Sequence, residues 1–475
     1  GIRRLVAERA HSAREAVDIA TKLLAEFGYF HDGRTYTFAD ANEAWQLAIH
    51  QGNSWAARKI HDNEVVYIPN NFMMDKVDLN DKETWRIEPK QVERAVKDGR
   101  HDAKNPIFNW RKVVAQESVR HERWNANRNV LAWKFLTGVE YNDPEKFPYS
   151  AVIDRKLGVK DAMALLRLHE DYIGQDQELY HSKSEGICRT TSHDSIVYNL
   201  TADPTLTEAW KTLGRPCQSV FVPLYPLAGP AKGTAFTDPA TATKEHFAGT
   251  PAMFDYRADF TPHSVFSASN NAIDYLRGDE LAKRTQLIQA EEDKFMKDRA
   301  AVTKKAAGLK GEERTKFLHD YNQKSYDHVL KIMQAENARL MPNKVKILAD
   351  VVKADGDGTV DFALLGAKGH EVLSANMEAT RAGMSANQLN STRQWKNFAP
   401  AEKMVYKDVN NDGITDVVFT FKAKDVTKGA VAGAAMDLWL YTQINGHRVT
   451  GFDVVPVEND KVKMNKGARD GKGLL

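Results

Sequence analysis

Cysteine is scarce: Cys188 and Cys217 are the only two in the chain. That excludes a disulfide-dense scaffold and a zinc site built from four thiolates. Spacing alone leaves a Cys188–Cys217 bridge and a pair of buried free thiols equally open. Net charge is scarce as well, because 66 Lys and Arg stand against 64 Asp and Glu. No gross field therefore draws the chain to nucleic acid or to a membrane surface. No run approaches the ~20 apolar residues that a membrane span needs, and the opening residues do not read as a signal peptide, which is uninformative because a secreted protein would have lost one. The glycine-rich dinucleotide fingerprint, the P-loop, the zincin helix motif, the serine nucleophile elbow and the c-type haem motif are all missing. Any chemistry has to come from a site assembled from separated residues.

What is present is enough apolar material for real cores, 42% of the residues, over a length that suits roughly two to four domains. Thr35 to Phe72 reads as four short strands, with turn signals at Asp40-Ala41-Asn42, Gln51-Gly52-Asn53 and His61-Asp62-Asn63. In its second strand Trp45, Leu47 and Ile49 share a face, and in its fourth Val65 and Tyr67 oppose Val66 and Ile68. Such a sheet is expected to be covered on both sides. The chain leaves it through Pro69-Asn70-Asn71, which sets two amide side chains at a strand end, where enzymes commonly place polar groups.

Around this stretch the periodicity predicts a helix over Ile2 to Phe27 capped by Gly28, helices over Glu88 to Gly99, Trp110 to Phe135 and Lys160 to Tyr172, and a second strand group between Gly186 and Tyr225. The aromatic stripe of Trp110, Trp124 and Trp133 reads as core. Tyr225 to Phe254 is rich in Pro and Gly and reads as a long loop. Asn271 to Leu340 reads as a helical hairpin broken at Gly308-Leu309-Lys310-Gly311. Pro342 marks a boundary, after which short alternating runs (Lys344 to Val352, Gly358 to Leu365, Val372 to Glu378, Asp416 to Phe421, Met436 to Asn445, His447 to Val455) predict a β-sandwich. The expected domains are thus 1–341, 342–462 and a basic, disordered tail at 463–475.

Three groups could carry chemistry. Asp408, Asn410, Asp412 and Asp416 place oxygen side chains at positions one, three, five and nine of a loop with Gly413 at six. Those are ingredients of a structural Ca2+ loop, although Phe419 stands where an EF-hand needs its bidentate carboxylate. Asp355-Gly356-Asp357-Gly358 is a poorer copy and reads as a turn. Ser192-His193-Asp194-Ser195 contains the letters of a triad, but strand neighbours point to opposite faces and cannot form one. Asn70 and Asn71 with Arg189 supply an amide and a guanidinium suited to an oxyanion and to a carboxylate or nucleophile.

A series of short motifs then falls in a recognisable order: Arg9-Ala10, Ser12-Ala13-Arg14-Glu15-Ala16-Val17, Tyr29, Asn42-Glu43-Ala44-Trp45, Trp55-Ala56-Ala57-Arg58, Asp62-Asn63, Asn70-Asn71-Phe72, Phe108-Asn109-Trp110, Arg189-Thr190-Thr191-Ser192, Leu213-Gly214-Arg215-Pro216, Ser219, Phe221-Val222-Pro223 and Tyr225. Over roughly Gly1 to Leu340 the chain resembles the C69 dipeptidases, which are N-terminal-nucleophile hydrolases. The resemblance implies an α+β fold, an αββα sandwich incomplete in this chain. It also implies an N-terminal cysteine thiolate that attacks the amide carbonyl, with its own α-amino group (pKa near ~8) as base and no cofactor for catalysis. Asn70 falls on the family's oxyanion asparagine and Arg189 on the arginine near the nucleophile, with Asn71, Ser192 and Ser195 as substrate-binding candidates.

The nucleophilic cysteine is absent from this chain. The expectation is therefore a processed larger chain whose partner is a smaller N-terminal polypeptide carrying that cysteine, acting on dipeptides or small amides. A homo-oligomer is open, neither nucleic acid nor a membrane span is expected, and the compartment expected is extracellular or periplasmic. Two alternatives stand beside this: an inactive hydrolase fold that binds or builds, and an N-acyl amide hydrolase.

Overall fold

The computed structural model describes residues 1–169, 186–189, 192, 194–231, 266, 269–270, 272–273, 279–384, 398–430 and 432–463. It is a mixed α+β structure with several sheets. Two compact units divide it, one built mainly from Gly1–Glu170 and the other mainly from Ala209–Leu475.

The first unit opens with two helices, α1 (Ile2–Ala7) and α2 (Ala13–Phe27), where the periodicity predicts one. Ser12 makes the break. Its hydroxyl accepts from the Glu15 N–H at 3.1 Å, and the Glu15 carboxylate accepts from the His11 N–H at 2.7 Å, so an N-cap starts a new helix inside an unbroken apolar stripe. Gly28 ends α2 with φ of 68°, as its position predicts.

Strands β1 (Arg34–Ala39), β2 (Ala44–His50) and β3 (Ser54–Ile60) form an antiparallel meander, and β6 (Trp85–Ile87) adds to the β3 edge. Strand β2 is buried on both faces. Trp45, Leu47 and Ile49 join Ala16, Val17, Ala20 and Leu24 of α2 in one cluster. Ala48, with Ala56 of β3, joins a different cluster with Met73, Phe108, Trp110 and Trp133. The fourth predicted strand, β4 (Glu64–Val66), does not continue the meander. It pairs with β8 (Ser150–Val152) in a two-stranded ladder, and this re-aims the chain toward Asn70.

The predicted 110–135 helix is three: α4 (Trp110–Val114), α5 (Glu117–His121) and α6 (Arg123–Thr137), the first capped by the Asn109 side chain on the Lys112 N–H. Helix α3 (Pro89–Lys97) matches its expected place; α7 (Val159–Leu166) starts as expected but ends with Arg167 as its C-cap, short of the predicted Tyr172, and residues 170–172 lie outside the described residues.

In the second unit, α8 (Asp279–Gly308) and α9 (Gly311–Leu340) form the predicted hairpin around Leu309-Lys310. After Pro342 two sheets follow. One is four-stranded, with β12 (Val345–Ile347), β14 (Thr359–Leu364), β18 (Asp416–Lys422) and β17 (Lys403–Lys407) in that order. The other is five-stranded and is dominated by β19 (Ala434–Ile444) and β20 (His447–Glu458). Phe362, Phe419 and Phe421 of the first sheet and Leu438, Leu440 and Val455 of the second belong to one buried cluster. The predicted Lys344–Val352 strand splits, its end becoming β13 (Val352–Lys353) in the other sheet. Val372 to Glu378 is not a strand, because the Asn376 amide oxygen accepts from the Ala379 N–H and turns the chain. Of the predicted 225–254 loop, Pro226–Ala228 is a short 3-10 turn, while residues 232–254 and the tail from 464 lie outside the described residues.

Candidate active site

The exit from β4 is held by a buried polar face of α6. Asn125 and Asn129 have no exposed surface and Arg128 has 4%. The Asn125 amide oxygen accepts from the Asn70 backbone N–H at 3.1 Å, while its nitrogen donates to the Val119 carbonyl at 2.9 Å. Arg128 Nη1 donates to the Asn70 amide oxygen at 2.8 Å. A guanidinium can only donate, so the edge of Asn70 that meets it has to be the acceptor edge, and the Nδ2 donors are left on the opposite edge of the plane. Asn70 itself is exposed.

Asn71 differs. Its Nδ2 donates to the Phe72 carbonyl at 3.1 Å and lies 3.2 Å from Met73 Sδ, so its donors are spent on its own loop. Two neighbouring amides that sequence does not separate are therefore distinct in structure: Asn70 has its oxygen engaged by Arg128, while Asn71 spends its donors on its own loop. Below them Arg120 donates to the Pro144 and Phe147 carbonyls, at 2.5 and 2.8 Å.

Behind this exit lies Arg58 of β3. It pairs with Glu64 at 2.8 Å, donates to Ser150 at 3.2 Å, and sits 5.2 Å from the ring centroids of both Trp85 and Tyr149. Burial raises the Tyr149 hydroxyl above its ordinary pKa and keeps it protonated, so it donates to Gln46 of β2 at 2.8 Å. The sequence reading carried Arg58 only inside the Trp55-Ala56-Ala57-Arg58 motif, with no role given to it, and missed Arg120 and Arg128, whose one signal was the density of Arg beside Trp and Asn, a pattern that surface residues also produce.

The second unit places the other candidates. Arg189 is not at a strand end: it shares a turn with Ser192, whose hydroxyl accepts from the Arg189 N–H at 3.2 Å and whose N–H donates back to the Arg189 carbonyl at 3.0 Å. Nor do Ser192 and Ser195 share a strand. Ser195 is the first residue of β9 (Ser195–Asn199), and its N–H donates to Thr212 Oγ1 at 2.8 Å. His193 lies outside the described residues, and Asp194 forms an ion pair with Lys211. Cys188 and Cys217 are both buried and are not joined by a disulfide, their sulfurs lying within 4.8 Å of one another.

The Asp408–Asp416 loop joins β17 to β18. Asp408 Oδ1 accepts from the Asn411 N–H at 2.7 Å and Oδ2 from the Gly413 N–H at 2.9 Å. Asp412 Oδ1 accepts from the Ile414 N–H at 2.8 Å, and Asn410 Nδ2 donates to Asp412 Oδ2 at 2.8 Å. Asp416 is fully buried and spans two segments, accepting from the Gly366 N–H at 2.9 Å and the Val409 N–H at 2.8 Å. Each of these carboxylates already satisfies backbone donors, and the three do not converge on a common point within 4.8 Å.

Comparison with known proteins bears on the first half of the chain. The profile of Peptidase family C69 matches residues 1–247. A probable dipeptidase B of Lactococcus lactis subsp. lactis is 28% identical over 282 residues, 55% of this chain and 54% of that protein. A probable dipeptidase B of Streptococcus pyogenes serotype M6 is 30% identical over 164 residues, 33% of this chain and 31% of that protein. A dipeptidase of Bifidobacterium longum is 22% identical over 334 residues, 64% and 60% respectively. The chain thus spans about half the length of the Lactococcus relative and less of the streptococcal one. With the family profile covering more than half of its residues, the chain belongs to peptidase family C69.

Proposed function

We propose that the protein is the larger chain of a cysteine-type dipeptidase that hydrolyses dipeptides or small amides. The observation that carries this reading is the amide of Asn70, an exposed residue whose oxygen is occupied by Arg128, so that any contact it makes with a substrate oxygen falls to its N–H donors. Family membership and the names of the relatives support the same reading. In it, a thiolate adds to the substrate carbonyl carbon, negative charge develops on the carbonyl oxygen, and Asn70 Nδ2 donates to that oxyanion. The nucleophile's α-amino group takes the thiol proton and returns it to the leaving amine; water then cleaves the thioester.

The family reading puts the nucleophile at the start of its polypeptide, and Cys188 and Cys217 are interior and buried; in this proposal the thiolate is carried by a separate N-terminal polypeptide. Arg189 as nucleophile support, and Asn71, Ser192 and Ser195 as substrate contacts, rest on the family reading alone. The same reading makes the β1–β2–β3–β6 sheet part of an αββα sandwich, the sheets after Pro342 a β-sandwich module, and the compartment extracellular or periplasmic.

The test is hydrolysis by the native preparation, assayed on free-amino dipeptides and on N-acyl amino acids, with mass spectrometry of its polypeptides. Turnover of dipeptides together with a smaller chain beginning with Cys is expected. Turnover of the N-acyl series alone makes it an acylase, and no turnover under reducing conditions makes it a binding protein.

A further inference from the structure

We propose that Arg128 is a positioning residue for the hydrolysis, acting through Asn70; the inference rests on the proposed oxyanion role of that asparagine. An asparagine amide on a surface loop is ordinarily free to flip, and a flip would present an acceptor to the developing oxyanion where a donor is required. Arg128 removes that freedom. It offers donors only, it takes the Asn70 oxygen at 2.8 Å, and it has 4% exposure.

The guanidinium is itself fixed. It lies 5.0 Å from the ring centroid of Trp124, one helical turn earlier on α6 and therefore on the same face. The neighbouring Asn125 clamps the Asn70 backbone N–H at 3.1 Å, so backbone and side chain of one residue are both held by a single helix. A buried cation is costly to place and is kept where its geometry is used. Here its field also polarises the Asn70 amide, which strengthens the N–H donors on the far edge.

The test uses the complete dipeptidase, nucleophile-bearing chain included, and measures kcat and KM separately. Asn70→Ala is expected to lower kcat by about 100- to 1000-fold, the usual scale for one oxyanion donor. Arg128→Gln, which offers both a donor and an acceptor and so permits the flip, is expected to lower kcat about tenfold or more with KM little changed. Arg128→Lys, a donor-only side chain, recovers most of that loss. In the Asn70→Ala background Arg128→Gln costs nothing further.

An additive loss in the double variant, or an Arg128→Lys variant as impaired as Arg128→Gln, overturns the inference while leaving the oxyanion reading intact. Full kcat in Asn70→Ala overturns the oxyanion reading, and the inference with it. Circular dichroism of each variant precedes the kinetics. Should Arg128→Gln not fold, Trp124→Leu replaces it, since loss of the stacking plane frees the guanidinium; unchanged kcat in that variant overturns the inference.

Discussion

Arg58 and Glu64 meet at 2.8 Å with side chains that are only 9% and 11% exposed. The pair locks β3 to the start of β4 and hence fixes the path that leads to Asn70. Burial opposes the Glu64 charge, but the hydrogen bond and field of Arg58, with help from the His61 N–H and Ser150, outweigh it and hold the carboxyl below the ordinary glutamate range. A depressed carboxyl pKa stabilises the fold above the unfolded value of about 4.3, and that stability is lost as pH falls through the lower folded value. Glu64→Gln is expected to cost about 3–5 kcal/mol at pH 7, since it leaves Arg58 buried without its counter-charge. Thermal unfolding between pH 3 and 7 checks this: the gap between wild type and variant narrows below about pH 4. A gap of constant size would show that the charge contributes nothing.

The helical hairpin holds an asymmetric pair. Arg284 of α8 has no exposed surface and donates to Glu336 of α9 at 3.2 Å; Glu336 also accepts from Arg339 at 2.8 and 3.0 Å. Removing the acid strands a buried cation, whereas removing Arg284 leaves the acid with Arg339. Glu336→Ala is therefore expected to destabilise by about 3–5 kcal/mol and Arg284→Met by clearly less. Urea unfolding midpoints read the order, and the reverse order refutes it.

Gly366 and Asp416 form one close contact. A Cβ on Gly366 would stand 2.5 Å from the Thr415 carbonyl oxygen, a backbone atom that cannot swing away. Gly366→Ala is expected to cost about 1–3 kcal/mol through overpacking. Asp416→Ala strands the N–H groups of Gly366 and Val409, at about 1–3 kcal/mol each, and Asp416→Asn costs less because one acceptor survives. Melting temperatures of the three variants test the ranking.

Calcium is the proposed occupant of the 408–416 loop, and binding it requires Asp408, Asp412 and Asp416 to be drawn together from their present backbone partners. Millimolar Ca2+ is then expected to raise the melting temperature, EDTA to reverse the rise, and Asp412→Ala to abolish it. A melting temperature indifferent to Ca2+ leaves the loop as an Asx turn.

Much of the fold was legible where one period ran without interruption. The α8–α9 hairpin, the meander β1 to β3 and the C-terminal strands all show it. Two of the misreadings share a cause: a polar side chain bonds to nearby backbone and ends an element that the apolar pattern would continue. Ser12 does this between α1 and α2, and Asn376 where a strand was expected. The split of the 110–135 helix differs, since neither α5 nor α6 begins on a side-chain cap. Strand β4 was found as a strand but not its partner, because β8 lies 86 residues away and pairing is a tertiary choice. Asn70 was visible from its motif. Arg128, which sets the direction of its amide, was not, since nothing in the order of residues says which arginine of α6 faces inward.

Strand β2 also carries its own key. Its large residues (Trp45, Leu47, Ile49) enter one cluster, while Ala48 enters the other, beside Trp110 and Trp133. Sliding β2 by one position against β3 would press indole against indole on one side and leave alanine-lined gaps on the other. The alternation of bulk thus works as a lock with one admissible setting. Drift at these positions is expected to proceed by paired exchanges across the two layers rather than by single steps.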